Sequence, residues 1–206
     1  MASVLYREKP LNPDDVVDET WFSDLPFCES KKVRIHAEGA AWRFAKENGI
    51  ELVTIHPGVV IGPLLQPTLS TSVEVFAKIV KGAQTYLYDN WYLVDVRDVA
   101  NAHIEAFELA SASGRYCLVE TVVHFSEFLK IVHKHYPTPH LKIYLTDIEN
   151  SKKNLRFFFS ADDKSFVPKH EVSKEKAKAL GIDFIPLELS VVDAIESLKE
   201  KGFLNV

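Results

Sequence analysis

A chain of 206 residues, 47% hydrophobic and 26% charged, has the content of an ordinary globular protein and not of a disordered or membrane-embedded one. Its net charge of −5, with no long run of Lys or Arg, lacks the basic footprint that nucleic-acid binding requires. No apolar run approaches the roughly 18 residues of a membrane helix, no secretory leader is visible, and Cys28 and Cys117 form neither a disulfide framework nor a metal-ligand spacing, so a reducing cytoplasm is the expected setting.

Residues 1–34 read as irregular and acidic, with Pro10, Pro13 and Pro26 breaking any long element. The spacing of Ala37, Ala40, Ala41, Phe44 and Ala45 predicts a helix over 35–48 that Gly49 ends. The β-rich run 51–55 predicts a short buried strand, and the turn from His56 to Pro67 holds Gly58 and Gly62. A helix over 70–81 carries Val73, Phe76, Ala77 and Val80 as its apolar stripe, with Gly82 as its stop.

A strand at 92–94 leads to a helix over 98–109, lined by Val99, Ala102, Ala106 and Leu109. Asp95 and Asp98 stand at that helix start, where carboxylates satisfy free N–H groups. A strand at 115–119, with Cys117 expected to be buried and inert, precedes a helix over 126–135. Ser173 and Ser190 read as caps of two last helices, 174–180 and 191–201, stopped by Gly181 and Gly202. Strand and helix alternate, which predicts an α/β sheet with crossover helices.

The chemistry of a dinucleotide enzyme is harder to find. A nucleotide-binding half needs a Gly-x-Gly-x-x-Gly-type turn, and no trio among glycines 39, 49, 58, 62, 82, 114, 181 and 202 has that spacing. No tyrosine has lysine four residues later, so no tuned phenol shares a helix face with a cation. His124, His133, His135 and His140 have no fixed ligand geometry, and no metal site is expected.

Three stretches, His56–Pro67, Val94–His103 and Ser111–Glu120, resemble the plant cinnamoyl-CoA reductase and dihydroflavonol reductase branch of the extended short-chain dehydrogenases. The resemblance implies an NADP(H)-dependent reductase of small phenylpropanoid-type carbonyls. It also implies that the family's first half, on the order of 120 residues with the glycine-rich turn and catalytic serine, has no counterpart here. Aligned on Ala37-Glu38, Ser30 stands at the family's tyrosine and Arg34 at its lysine; Arg34 cannot relay a proton because it stays charged. No catalytic residue is therefore assigned. Pro57, Gly58, Val59, Val60 and Ser72 match the family's cofactor contacts, and a glycine there would let backbone approach the nicotinamide closely.

The expected fold is an incomplete Rossmann-type doubly wound sheet, its C-terminal half, with a small mixed substrate domain. Residues 1–142 would hold the nucleotide-domain remnant interleaved with substrate segments, 143–160 an atypical insert, and 161–206 a helical substrate segment. Intron-derived sequence and a lineage-specific loop both account for the insert. Three functional readings stay open: a reductase portion inactive as this chain, a non-catalytic fragment that pairs with a full-length paralogue, and a mis-spliced product. Without a first half, the strand at 51–55 should show an unpaired edge beside an uncovered apolar helix face, and soluble expression should be poor.

Overall fold

The computed structural model describes residues 2–5, 8, 12, 14–30, 36–81, 90–138, 141 and 170–204. The expected insert at 143–160, Arg34, Gly82 and His140 lie outside them. In chain order the elements are α1 (Ala2–Leu5), β1 (Val16–Val17), α2 (Leu25–Ser30), α3 (His36–Glu47), β2 (Val53–Pro57), β3 (Val59–Ile61), α4 (Thr71–Val80) and β4 (Asn90–Asp95). There follow α5 (Val96–Glu108), β5 (Gly114–Leu118), β6 (Thr121–His124), α6 (Phe125–His135), β7 (Glu171–Val172), α7 (Glu175–Ala179) and α8 (Leu187–Glu200).

The strands pair as an α/β protein requires. β2 lies parallel to β5 with Val53 opposite Gly114 and Pro57 opposite Leu118. β3 lies parallel to β4, which pairs antiparallel with β6 on its other side. β1 and β7 form a separate parallel pair. The irregular N-terminal stretch thus holds three short elements, each too brief to show a hydrophobic period.

Both faces of β2 and β5 are covered. On one, Val53, Ile55, Tyr116 and Leu118 pack with Val99 and Ala102 of α5 and Ala177 of α7. On the other, Cys117 and Val119 join Val4 and Val17. A third core unites Phe76, Ile79 and Val80 of α4 with Phe128, Leu129 and Val132 of α6 and Val191, Ile195 and Leu198 of α8. Trp91 stacks on Phe128 within it, centroids 5.4 Å apart.

Three sequence expectations need correction. Helix α7 starts at Glu175 with Lys174 at its N-cap, so Ser173 stands just outside it. Helix α8 starts at Leu187 with Pro186 at its N-cap, so Ser190 sits inside the first turn instead of capping it. Proline's fixed φ suits a helix start, and its missing N–H costs nothing there. Helix α3 does not bury its alanine face. Ala45 is buried and Glu38 points inward, while Ala37, Ala40, Ala41 and Phe44 are exposed, Phe44 at 61%. Its Glu38 is drawn in by the buried Arg115 guanidinium, which outweighs the pull of alanine methyls on apolar surface.

Candidate functional site

The turn from β2 to α4 builds a cavity of about 340 Å³, lined by Val60, Ile61, Gly62, Pro63, Leu64, Leu65, Gln66, Ser70, Ser72, Val73 and Val96. Gly62 makes its floor possible. Its φ is +125°, and a Cβ there would stand 3.1 Å from the Asp95 carboxylate and from Val96. Leu64 is fixed at the far wall, where its N–H donates to Ser197 Oγ at 2.8 Å.

Asp95 behaves as the sequence implies. It caps α5 by accepting from Arg97 N at 2.8 Å, and it takes Arg97 Nε and Nη2 at 2.9 Å each. Arg97 Nη2 also reaches Asp193 at 2.6 Å. Burial would raise the Asp95 pKa, but the hydrogen bonds from Arg97 and Ser190 hold it below the usual range. With two carboxylates on it, Arg97 is committed to the helix junction and offers little to an anion.

Asp98 is not a free cap. Its carboxylate is 1% exposed and accepts from Ile185 N at 3.1 Å. Burial, with the Asp95 charge adding to it, pushes its pKa up to about 6 from 3.8. The folded chain then holds this proton more tightly than the unfolded chain between about pH 4 and 6, so stability falls as pH rises through that window and is level above it. The difference of about two units corresponds to about 3 kcal/mol. Asp98→Asn keeps the acceptor for Ile185 and removes the charge. Urea denaturation should show it near parental at pH 4 and more stable at pH 7 by 1–3 kcal/mol, on the order set by that shift. Glu120, raised chiefly by burial, contributes a slope of the same sign.

On the opposite face of β2 lies a buried polar cluster. Glu38 Oε1 accepts from Arg115 Nε at 2.7 Å and from Trp42 Nε1 at 3.2 Å, and lies 3.1 Å from His56 Nε2. Arg115 Nη1 donates to the carbonyls of Glu19 at 2.8 Å and Trp21 at 2.6 Å, and its guanidinium lies 3.9 Å from the centroid of the Phe22 ring. Burial opposes the Glu38 charge, yet the Arg115 hydrogen bond and the His56 contact hold its pKa below normal. Burial is also the main reason His56 titrates low. This cluster ties α3 and residues 19–22 to β5.

The residues matched to cofactor contacts are only partly convergent. Val60 and Ser72 line the cavity; Pro57, Gly58 and Val59 do not. Val59 is exposed on β3, and Pro57 ends β2 opposite Leu118. Gly58 faces β4: a Cβ would stand 2.3 Å from the Tyr92 carbonyl oxygen, so strand packing already demands glycine there. Ser30, at the family's tyrosine position, donates from its hydroxyl to Phe27 O at 2.7 Å. His36 begins α3. Cys117 is buried, and that burial lifts its thiol to about 12, as expected of an inert cysteine. Among the described residues no group of three His, Cys, Asp or Glu side chains could hold a metal ion, and no helix is long and apolar enough to cross a membrane.

Parallel pairing of β2 with β5 and of β3 with β4, helices packed on these strands and a cavity at the carboxyl ends of β3 and β4 define a Rossmann-like α/β protein. No family model matches the chain. It is 48% identical over its whole length to a cinnamoyl-CoA reductase of Medicago truncatula, of which it covers 60%. It superposes on the vestitone reductase of alfalfa with a TM-score of 0.76 at 25% identity, covering 98% of this chain and 63% of that one. A Candida albicans Gre2 structure in complex with NADPH gives 0.68 at 26% identity, covering 97% and 62%. The chain belongs to the plant cinnamoyl-CoA reductase and dihydroflavonol reductase-like family of short-chain dehydrogenases, and spans about 60% of the length of such relatives.

A nicotinamide dinucleotide does not fit the described residues as a whole. The cavity lining has no cation for a pyrophosphate, its polar side chains are Gln66, Ser70 and Ser72, and the nearby Gly58 is closed against Tyr92. The space suits one planar ring with a few hydrogen-bonding groups.

Proposed function

We propose that this chain is the substrate-side portion of an NADP(H)-dependent, cinnamoyl-CoA reductase-like enzyme for phenylpropanoid-type carbonyls, and that alone it does not turn over. The observation that carries this reading is the cavity lining, which is apolar with three neutral polar side chains and holds no titratable residue. Carbonyl reduction needs a proton donor within hydrogen-bond reach of the oxygen and a bound hydride donor beside the carbon. Asp95 and Arg97, on either side of the lining residue Val96, are hydrogen-bonded to each other. The family supplies the substrate class and cofactor; a cytoplasmic setting fits the absence of disulfide chemistry and is part of the proposal.

Calorimetry separates the two halves of the reading. A hydroxycinnamaldehyde should bind saturably to the chain, and Val73→Trp, which fills the cavity, should abolish that heat. NADPH titrated alone should give no saturable heat. Saturable NADPH binding, or aldehyde binding indifferent to Val73→Trp, would overturn the assignment.

A further inference from the structure

We infer that Ser70 is a specificity-determining residue of the cavity: its hydroxyl receives the phenolic hydroxyl of the bound ring, so a 4-hydroxylated ring is selected over an unsubstituted one. This inference rests on the proposed seating of a phenylpropanoid ring in that cavity. It starts from an unused hydroxyl. Ser70 stands at the N-cap of α4 with the extended backbone of a cap residue, φ −74° and ψ 162°, and its carbonyl accepts from Glu74 N at 2.8 Å. A serine so placed normally turns its Oγ onto a free N–H of the first turn, and that bond stabilises the helix. Ser70 Oγ makes no such bond, and Ser70 lines the cavity instead.

The distribution of the lining fixes which end of the ligand meets it. Val60, Ile61, Pro63, Leu64, Val73 and Val96 are apolar walls, and the polar side chains all come from residues 66–72. Ile61 and Leu64, 3% and 6% exposed, mark the deep end, whereas Leu65, at 85%, and the exposed Gln66 mark the mouth. No titratable side chain lines the cavity. A carbonyl to be reduced must therefore stay at the mouth, where a proton donor and a hydride donor from outside the lining can reach it. The ring enters with its substituted end first.

A hydroxyl taken among apolar walls costs free energy unless it meets a hydrogen-bonding partner. Gln66 is exposed at the mouth, which leaves the two serines. Ser70 is half-buried, and its Oγ can accept the phenol proton without giving up a cap bond. Ser72, inside the first turn of α4, is the rival partner.

The test is calorimetric titration of the full chain with 4-hydroxycinnamaldehyde and with cinnamaldehyde. The hydroxylated aldehyde should bind about fivefold more tightly or better, the size of one net hydrogen bond. Ser70→Ala should bring that ratio below about twofold, and Ser72→Ala should leave it above about threefold. The urea midpoint of Ser70→Ala should match that of the parental chain, because no cap bond is lost. A parental ratio near one, a ratio that survives Ser70→Ala, or a ratio lost in Ser72→Ala would overturn the inference and leave the ring-binding reading standing. So would a midpoint lowered in Ser70→Ala, which would show the hydroxyl engaged by the helix. Failure of both aldehydes to bind, or binding indifferent to Val73→Trp, would overturn the inference and that reading together.

Discussion

Gly58→Ala is expected to remove a large share of the chain's stability. The new methyl would stand 2.3 Å from the Tyr92 carbonyl oxygen and 2.8 Å from its carbon, and both are backbone atoms of the central strand β4. Relief therefore requires β3 and β4 to part where Val59 pairs with Leu93. Overpacking of this kind costs about 1–3 kcal/mol where side chains can yield, and more where backbone must move. We expect at least about 3 kcal/mol, a large share of the 5–15 kcal/mol that holds a typical domain. Gly39→Ala is the control, because its nearest neighbour is the end of Arg43 at 3.7 Å. Inside α3, at the end of its first turn, the change should be neutral or stabilise by up to about 1 kcal/mol. Urea midpoints measured side by side decide the matter; equal midpoints for the two variants would contradict the packing of β3 on β4.

Arg115→Met is expected to cost about 3–5 kcal/mol, the range for stripping one partner from a buried ion pair. The decisive fact is exposure: the Arg115 and Glu38 side chains are only 7% and 11% accessible, so water cannot replace what is lost. Two main-chain carbonyls, of Glu19 and Trp21, lose the Arg115 donor in the same change, which loosens residues 19–21 against β5, where the Glu19 carboxylate still accepts from Cys117 N. Glu38→Gln with Arg115→Met should cost clearly less than the sum of the two single changes, because no uncompensated carboxylate remains. Additive losses in that cycle, or a loss below about 1 kcal/mol for Arg115→Met alone, would show the pair to be solvated.

The alternation of elements was legible because helical and strand periods are local. The same holds for the Asp95 cap, which needs only its next two residues. Glycines 49, 181 and 202 also mark their helix ends, each at positive φ. What escaped depends on residues far apart in the chain. Glu38 and Arg115 are 77 positions apart, so nothing local shows that α3 turns its glutamate inward and leaves its alanines outside. A histidine in a β-rich run and an arginine in a buried strand were the available signals. β1 and β7, two residues each, are too short for any period. Gly58 shows the other limit: a glycine reveals that something approaches closely, and only the fold shows that the approaching group is Tyr92 of β4.

The central claim is that a cavity able to seat a phenylpropanoid ring lacks the cofactor cradle and the proton source that reduction demands. The measurement that tests it most directly is NADPH consumption by the purified chain in the presence of a hydroxycinnamoyl-CoA ester or the corresponding aldehyde. We expect a rate equal to that of the protein-free control. A rate proportional to chain concentration and lost in Val73→Trp would contradict the claim.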